Sequence, residues 1–107
     1  MIQGDCLEEL KKLDDNSIDS IVTDPPYGIS FMGKKWDYDV PKIEVWHECL
    51  RVLKPGGHAL VACGTRTQHR MAVNLEDGGF EFIGIEKEEE YCKIAEARIK
   101  NTPTKLL

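Results

Sequence analysis

The chain has 107 residues, 41% of them hydrophobic, and a formal net charge of −5. That length holds one domain with a single modest core, and the acidic balance argues against strong unaided binding to a nucleic-acid backbone, which needs clustered cations to release counterions. No apolar run approaches the ~18 residues of a membrane span and no charged-then-apolar leader stands at Met1, so a cytoplasmic address and no membrane partner are expected.

Met1 to Gln3 is a short apolar start. Asp5 with Glu8 three residues on is a capping-box pattern, and Leu7, Leu10 and Leu13 share one face of the helix it opens. Asp14-Asp-Asn-Ser17 breaks that helix. Ile18 to Thr23 then reads as a strand whose Ile21-Val22 centre is buried on both sides. The stretch from Gly28 to Pro41 has no sustained period and reads as a long loop, with one basic and aromatic cluster, Phe31-Met-Gly-Lys-Lys-Trp36, able to touch a phosphate or simply to pack its tryptophan.

Ile43, Trp46, Leu50 and Leu53 recur at helical spacing, and Lys54-Pro-Gly-Gly57 ends that helix and turns the chain into a second buried strand, His58-Ala-Leu-Val-Ala-Cys63. Gly64-Thr65 leads into a helix carrying Met71, Ala72 and Leu75, closed by Gly78-Gly79. Phe80-Glu-Phe-Ile-Gly-Ile85 reads as a third strand. Glu88-Glu-Glu90 opens a last helix that Arg98 and Lys100 close, the charge order its macrodipole favours, with Tyr91, Ile94, Ala95 and Ile99 as packing face. Alternating strands and helices predict a layered α/β domain with a mainly parallel sheet.

Cys6, Cys49, Cys63 and Cys92 match neither paired zinc-ligand spacing nor a disulfide framework and read as buried thiols; His47, His58 and His69 have no second ligand at metal-binding spacing, so no metal is expected. The most informative segment is Asp24-Pro25-Pro26-Tyr27, directly after the first strand. A carboxylate at a strand's carboxyl end, two prolines that cannot donate a backbone hydrogen bond, and an aromatic ring describe a pocket for a flat polar ligand such as a nucleobase with an exocyclic amine. A plain turn cap for Asp24, and a Tyr27 packed on its own loop, are the alternative readings.

Three stretches, Ile18-Asp-Ser-Ile-Val-Thr-Asp-Pro-Pro-Tyr-Gly28, Glu48-Cys-Leu-Arg-Val-Leu-Lys-Pro-Gly-Gly57 and Phe82-Ile-Gly-Ile-Glu-Lys87 through Ile99, together with Gln3-Gly-Asp5, resemble the amino-group DNA methyltransferases, which act on adenine N6 or cytosine N4. The resemblance implies a Rossmann-like three-layer fold in reduced form, with residues 1–107 as one truncated domain, and S-adenosylmethionine as cofactor. It makes Asp24 an acceptor for the target amine, the Pro25 carbonyl a second acceptor within the Pro25-Pro26 turn, and Tyr27 a stacking platform for a base flipped out of the duplex. It places Glu86 on the cofactor's ribose, Asp5 near its adenine, and Asp24 at the junction of amine and cofactor sites. Aspartate at the first motif position leans toward adenine.

Taken by themselves, Glu86 also fits the solvated start of the last helix and Asp5 a plain N-cap. The chain departs from the family pattern where a target-recognition region, a strand and a Phe-x-Gly-x-Gly loop are expected before Phe82, since Gly79-Phe80-Glu81 runs straight into it. The chain therefore reads as an internal deletion, and DNA is a weak partner for it alone. Two functional classes follow: a compact, phage-like adenine methyltransferase, and a non-catalytic remnant or interaction module of the same fold. The missing strand is central in the family, so residues 80–85 are expected to pair beside the Ile18–Thr23 strand, or two chains to associate as a homo-oligomer.

Overall fold

The computed structural model describes residues 1–26, 40–64 and 67–101. Its elements follow in the order α1 (Cys6–Leu10), β1 (Ile18–Thr23), α2 (Ile43–Val52), β2 (Leu53–Val61), α3 (Gln68–Asp77) and α4 (Glu89–Asn101). The loop expected from Gly28 onward lies mostly outside the described residues.

Local chemistry explains most of these boundaries. The Asp5 carboxylate accepts the Glu8 N–H at 3.2 Å and caps α1. Asn16, in the left-handed region at φ 54°, turns the chain into β1. Helix α2 buries Ile43, Trp46, Cys49 and Val52, one residue every three along one stripe. It then passes without a loop into β2, because Leu53 adopts an extended ψ of 133° and is itself buried. Leu53 was expected to close the helix; it opens the strand.

β1 and β2 pair in parallel, with Ile18 opposite Leu53, Ser20 opposite His58, Val22 opposite Leu60 and Thr23 opposite Val61. Between the first two pairs, Lys54-Pro-Gly-Gly57 bulges from the ladder, where Pro55 has no N–H to give. The turn read from the sequence is thus real, but it is a bulge inside β2. Arg51 ties this end together: its guanidinium donates to Glu48 at 2.7 Å, to Asp15, and to the Leu10 carbonyl at 2.9 Å.

The core lies on one face of the sheet. Val40, Trp46, Cys49 and Met71 form its centre, with Leu10, Ile21, Val61, Leu75 and Phe80 packed against it. Val22 is 78% exposed and Leu60 65% exposed, so the expectation that the β1 centre is buried on both sides is corrected: Ile21 faces the helices and Val22 faces away from them. At the end of α3, Gly78 caps the helix, and Gly79 at φ 110° supports the reversal that glycine permits and a side chain resists.

Residues 80–85 form no strand, which corrects the third-strand reading. Among the described residues the sheet has β1 and β2 alone, and the segment keeps only the alternation of a strand, Phe80 packed inward while Ile83 and Ile85 are 91% and 89% exposed. Nor does it lie beside β1. Phe80 and Glu81 share a cleft with Gly56 and Gly57 at the amino end of β2, so the segment starts alongside β2. The helix α4 buries no residue completely; Tyr91 and Ile94 stay largely exposed, and Ala95 and Ile99 are half-buried. The cysteines also depart from expectation: Cys49 is buried, Cys92 half-buried, and Cys6 and Cys63 are exposed, all as free thiols. The result is a mixed helix and strand domain around a parallel pair, compatible with a methyltransferase-like fold. Among the described residues no helix is long and apolar enough to cross a membrane.

Candidate functional site

Asp24 stands where the sequence places it, immediately after β1 and at its carboxyl end, and the ladder's last bond there runs from the Ala62 N–H to the Thr23 carbonyl at 3.0 Å. Because the two strands are parallel, Asp24-Pro25-Pro26 and Ala62-Cys63-Gly64 leave the sheet side by side. This edge is the usual ligand crevice of parallel sheets. The Asp24 residue is exposed, while Pro25 and Pro26 are half-buried. Tyr27 lies outside the described residues.

Glu86 is brought to the same end. Partial desolvation pushes the Cys63 thiol up, and the Glu86 carboxylate pushes it further, so Glu86 lies within electrostatic reach of the residue that leaves β2. The Glu86 carboxylate is half-buried and accepts the Glu88 N–H at 3.1 Å, which fixes the start of α4. It therefore follows an unpaired segment rather than ending a strand of the sheet. Asp5 has its carboxylate on the Glu8 N–H within α1. Cys63 was read as a buried thiol ending the second strand; β2 stops at Val61, so Cys63 lies beyond it and is exposed at this edge.

One further polar group stands out on the helical side. The His69 imidazole is pushed below its ordinary value by burial first, then by Arg98 and Arg70, and its Nδ1 has no hydrogen-bond partner among the described residues. A cleft of about 440 Å³ is lined by Asn16, Lys54, Gly56, Gly57, Phe80 and Glu81 among others. It lies at the amino end of the strands, opposite Asp24, and none of Asp5, Asp24 or Glu86 lines it.

Comparison with known proteins bears on the whole arrangement. A family model described as DNA methylase, of the N6/N4 type, matches residues 18–82, more than half of the chain and the stretch that contains β1, Asp24, α2, β2 and α3. The type II methyltransferase M.HindIII of Haemophilus influenzae is 31% identical over 120 residues, covering 74% of this chain and 39% of the relative. That aligned stretch is longer than the whole 107-residue chain, so the relative carries residues inside it that this chain lacks. The DNA adenine methyltransferase YhdJ of Escherichia coli is 42% identical over 72 residues, covering 61% of this chain and 24% of the relative. The type II methyltransferase M.BamHI of Bacillus amyloliquefaciens is 35% identical over 72 residues, covering 57% and 16%. The chain spans less than two-fifths of the length of each of these relatives. No solved structure matches it significantly. On the match that runs from β1 through the Asp24 turn to Phe82, the chain belongs to the N6/N4 DNA methylase family.

Proposed function

We propose that residues 1–107 are a single shortened domain that supplies the target-amine half of an S-adenosylmethionine-dependent DNA methyltransferase, with adenine N6 as the amine. The observation that carries this reading is the position of Asp24-Pro25 at the open carboxyl edge of a parallel strand pair, inside the family match. The aspartate at this position and the similarity to a relative named as an adenine methyltransferase support adenine. The two-stranded sheet is the remainder of a Rossmann-like three-layer arrangement.

Asp24 and the Pro25 carbonyl are the acceptors in this reading. Each takes one amine hydrogen, which holds both hydrogens aside and leaves the nitrogen lone pair free as the amine's nucleophilic position. Pro25 and Pro26 hold the turn without competing N–H donors, so the amine meets acceptors alone. Tyr27 stacks on the extruded base.

The described residues do not by themselves fit S-adenosylmethionine. Glu86 holds the start of α4, Asp5 holds the start of α1, and the cleft beside Gly56 and Gly57 opens at the other end of the strands. The same observation favours the second reading, an interaction module of the fold without turnover.

Titration calorimetry and a methyl-transfer assay separate the two. Adenosine binding at millimolar concentration that falls at least tenfold in Asp24→Ala supports the amine site, whereas binding unchanged in that variant removes it. Methyl transfer to duplex DNA by the chain alone establishes the enzyme, and its absence with adenosine binding retained leaves the module. Transfer that persists in Asp24→Ala refutes the role given to Asp24.

A further inference from the structure

Cys6 on α1 and Cys49 on α2 belong to two helices that pack against each other at the edge of the core. The Arg51 guanidinium of α2 donates to the Leu10 carbonyl at 2.9 Å, and the Leu10 side chain packs against the core cluster that holds Trp46 and Cys49. Cys6 stands four residues before Leu10, so it shares the face of α1 that Leu10 turns to the core. The two thiols also feel one another: Cys6 acts on Cys49 more strongly than Glu48 does, although Glu48 is its neighbour in sequence. Only one of the pair is open to solvent. Cys6 is exposed and Cys49 is buried, both as free thiols. An accessible thiol beside a sheltered one is the arrangement of redox-sensing cysteines, in which the first meets the oxidant and the second resolves the adduct.

We propose that Cys6 and Cys49 are a site of oxidation by low-molecular-weight disulfides, which joins α1 to α2 through an intramolecular disulfide. The Cys6 thiolate attacks one sulfur of the small disulfide, forming a mixed disulfide and expelling one small thiolate. Cys49 then gives up its proton, and its sulfur attacks the Cys6 sulfur and expels the second small thiolate. Two protein thiols are oxidised to one disulfide, and one small disulfide is reduced to two thiols. Helix α1 has five residues and buries none of them completely, so it can settle on α2 to meet the geometry of an S–S bond. The bond closes residues 6–49 into one loop that contains β1 and the Asp24 turn, and the proposal does not rest on the amine-site reading. Cys63 and Cys92, exposed and half-buried, provide an internal comparison.

The test uses the full chain at about pH 8.5, because partial desolvation and Asp5 push the Cys6 thiol up and a higher pH restores thiolate. With oxidised glutathione in about hundredfold excess, the wild type is expected to lose about 2 Da and two of its four titratable thiols. Proteolytic mapping is expected to join the Cys6 peptide to the Cys49 peptide. The urea midpoint is expected to rise by about 1 M or more, because the unfolded chain is tied into a loop. Cys6→Ser, at an exposed position, is expected to abolish the mass loss, while Cys63→Ser leaves it in place. A mixed disulfide that stays on Cys6, a link between Cys63 and Cys92 in its place, or four free thiols after prolonged incubation overturns the proposal. A link between Cys6 and Cys49 that lowers the urea midpoint does so equally, since the helices must then part to accommodate it.

Discussion

Met71 offers the sharpest test of where stability resides in this domain. It is 1% exposed and sits in the centre of the core with Val40, Trp46 and Cys49. Truncation to alanine removes three heavy atoms, worth about 2.4 kcal/mol in transfer at ~0.8 kcal/mol per methylene-sized group. The space left adds roughly 1–2 kcal/mol at ~24 cal/mol per Å³, because Val40 and, from α2, Trp46 and Cys49 pack against Met71 and relax only in part. A loss of about 3–4 kcal/mol is a large share of the ~5–15 kcal/mol available to a chain of this size. In urea, with a slope near ~1.5 kcal/mol per molar, the unfolding midpoint of Met71→Ala is expected about 2 M below wild type, while the volume-conserving Met71→Leu stays within ~1 M. A midpoint shift under about 0.5 M for Met71→Ala, or equal shifts for the two variants, refutes a core centred on this side chain.

Three further predictions follow from other parts of the fold. An added methyl at Gly78 would stand 2.8 Å from the Trp46 Cβ, so Gly78→Ala is expected to cost about 1–3 kcal/mol by the same urea measurement. Asp5→Ala removes the cap of α1 and is expected to lower stability by about 1 kcal/mol, with Asp5→Asn retaining most of it. Burial, reinforced by Cys6 and Glu48, pushes the Cys49 thiol up to about 11, above the value near 9 of an unhindered thiol. The folded state therefore holds this proton longer than the unfolded one, so the stability it contributes is complete below pH 9 and is lost as pH rises through 11. Comparison of wild type with Cys49→Ala across pH 8–11 isolates the effect, and parallel curves would contradict it.

How much of this was legible in the sequence depends on whether the signal was local. The Asp5 cap, the Gly78-Gly79 stop and the charge order of α4 are set by neighbours within a few residues and stand where the sequence puts them, whereas the α2 stripe keeps Ile43 and Trp46 but continues through Cys49 and Val52, with Leu50 exposed and Leu53 in β2. Burial across a sheet is not local. Ile21 and Val22 are equally apolar, and only the presence of helices on one side decides that the first is covered and the second exposed. Residues 80–85 have a strand's composition, yet a strand requires a partner's backbone, and β2 offers no ladder to them. At the site, Asp24 was readable because its place depends on the end of β1 alone. Glu86 was half readable: it reaches the right end of the molecule, but its carboxylate is bonded to the first turn of its own helix.

The ties around Arg51 have a consequence for how the molecule opens. At the amino end of the strands, the Asn16 N–H meets the Arg51 carbonyl at 3.0 Å and the Ser17 N–H meets the Val52 carbonyl at 2.8 Å, while the Arg51 side chain grips Asp15, Glu48 and the Leu10 carbonyl. At the opposite end the described ladder finishes on the single bond between Ala62 and Thr23. Amide hydrogen exchange should therefore be graded along the strands, slow at Asn16 and Ser17 and faster toward Ala62, because fluctuations fray the loosely tied end without disturbing the anchored one. On that gradient, local opening of the strand pair is expected to begin where Pro25-Pro26 and Ala62-Cys63-Gly64 leave the sheet, while the Arg51 end stays closed.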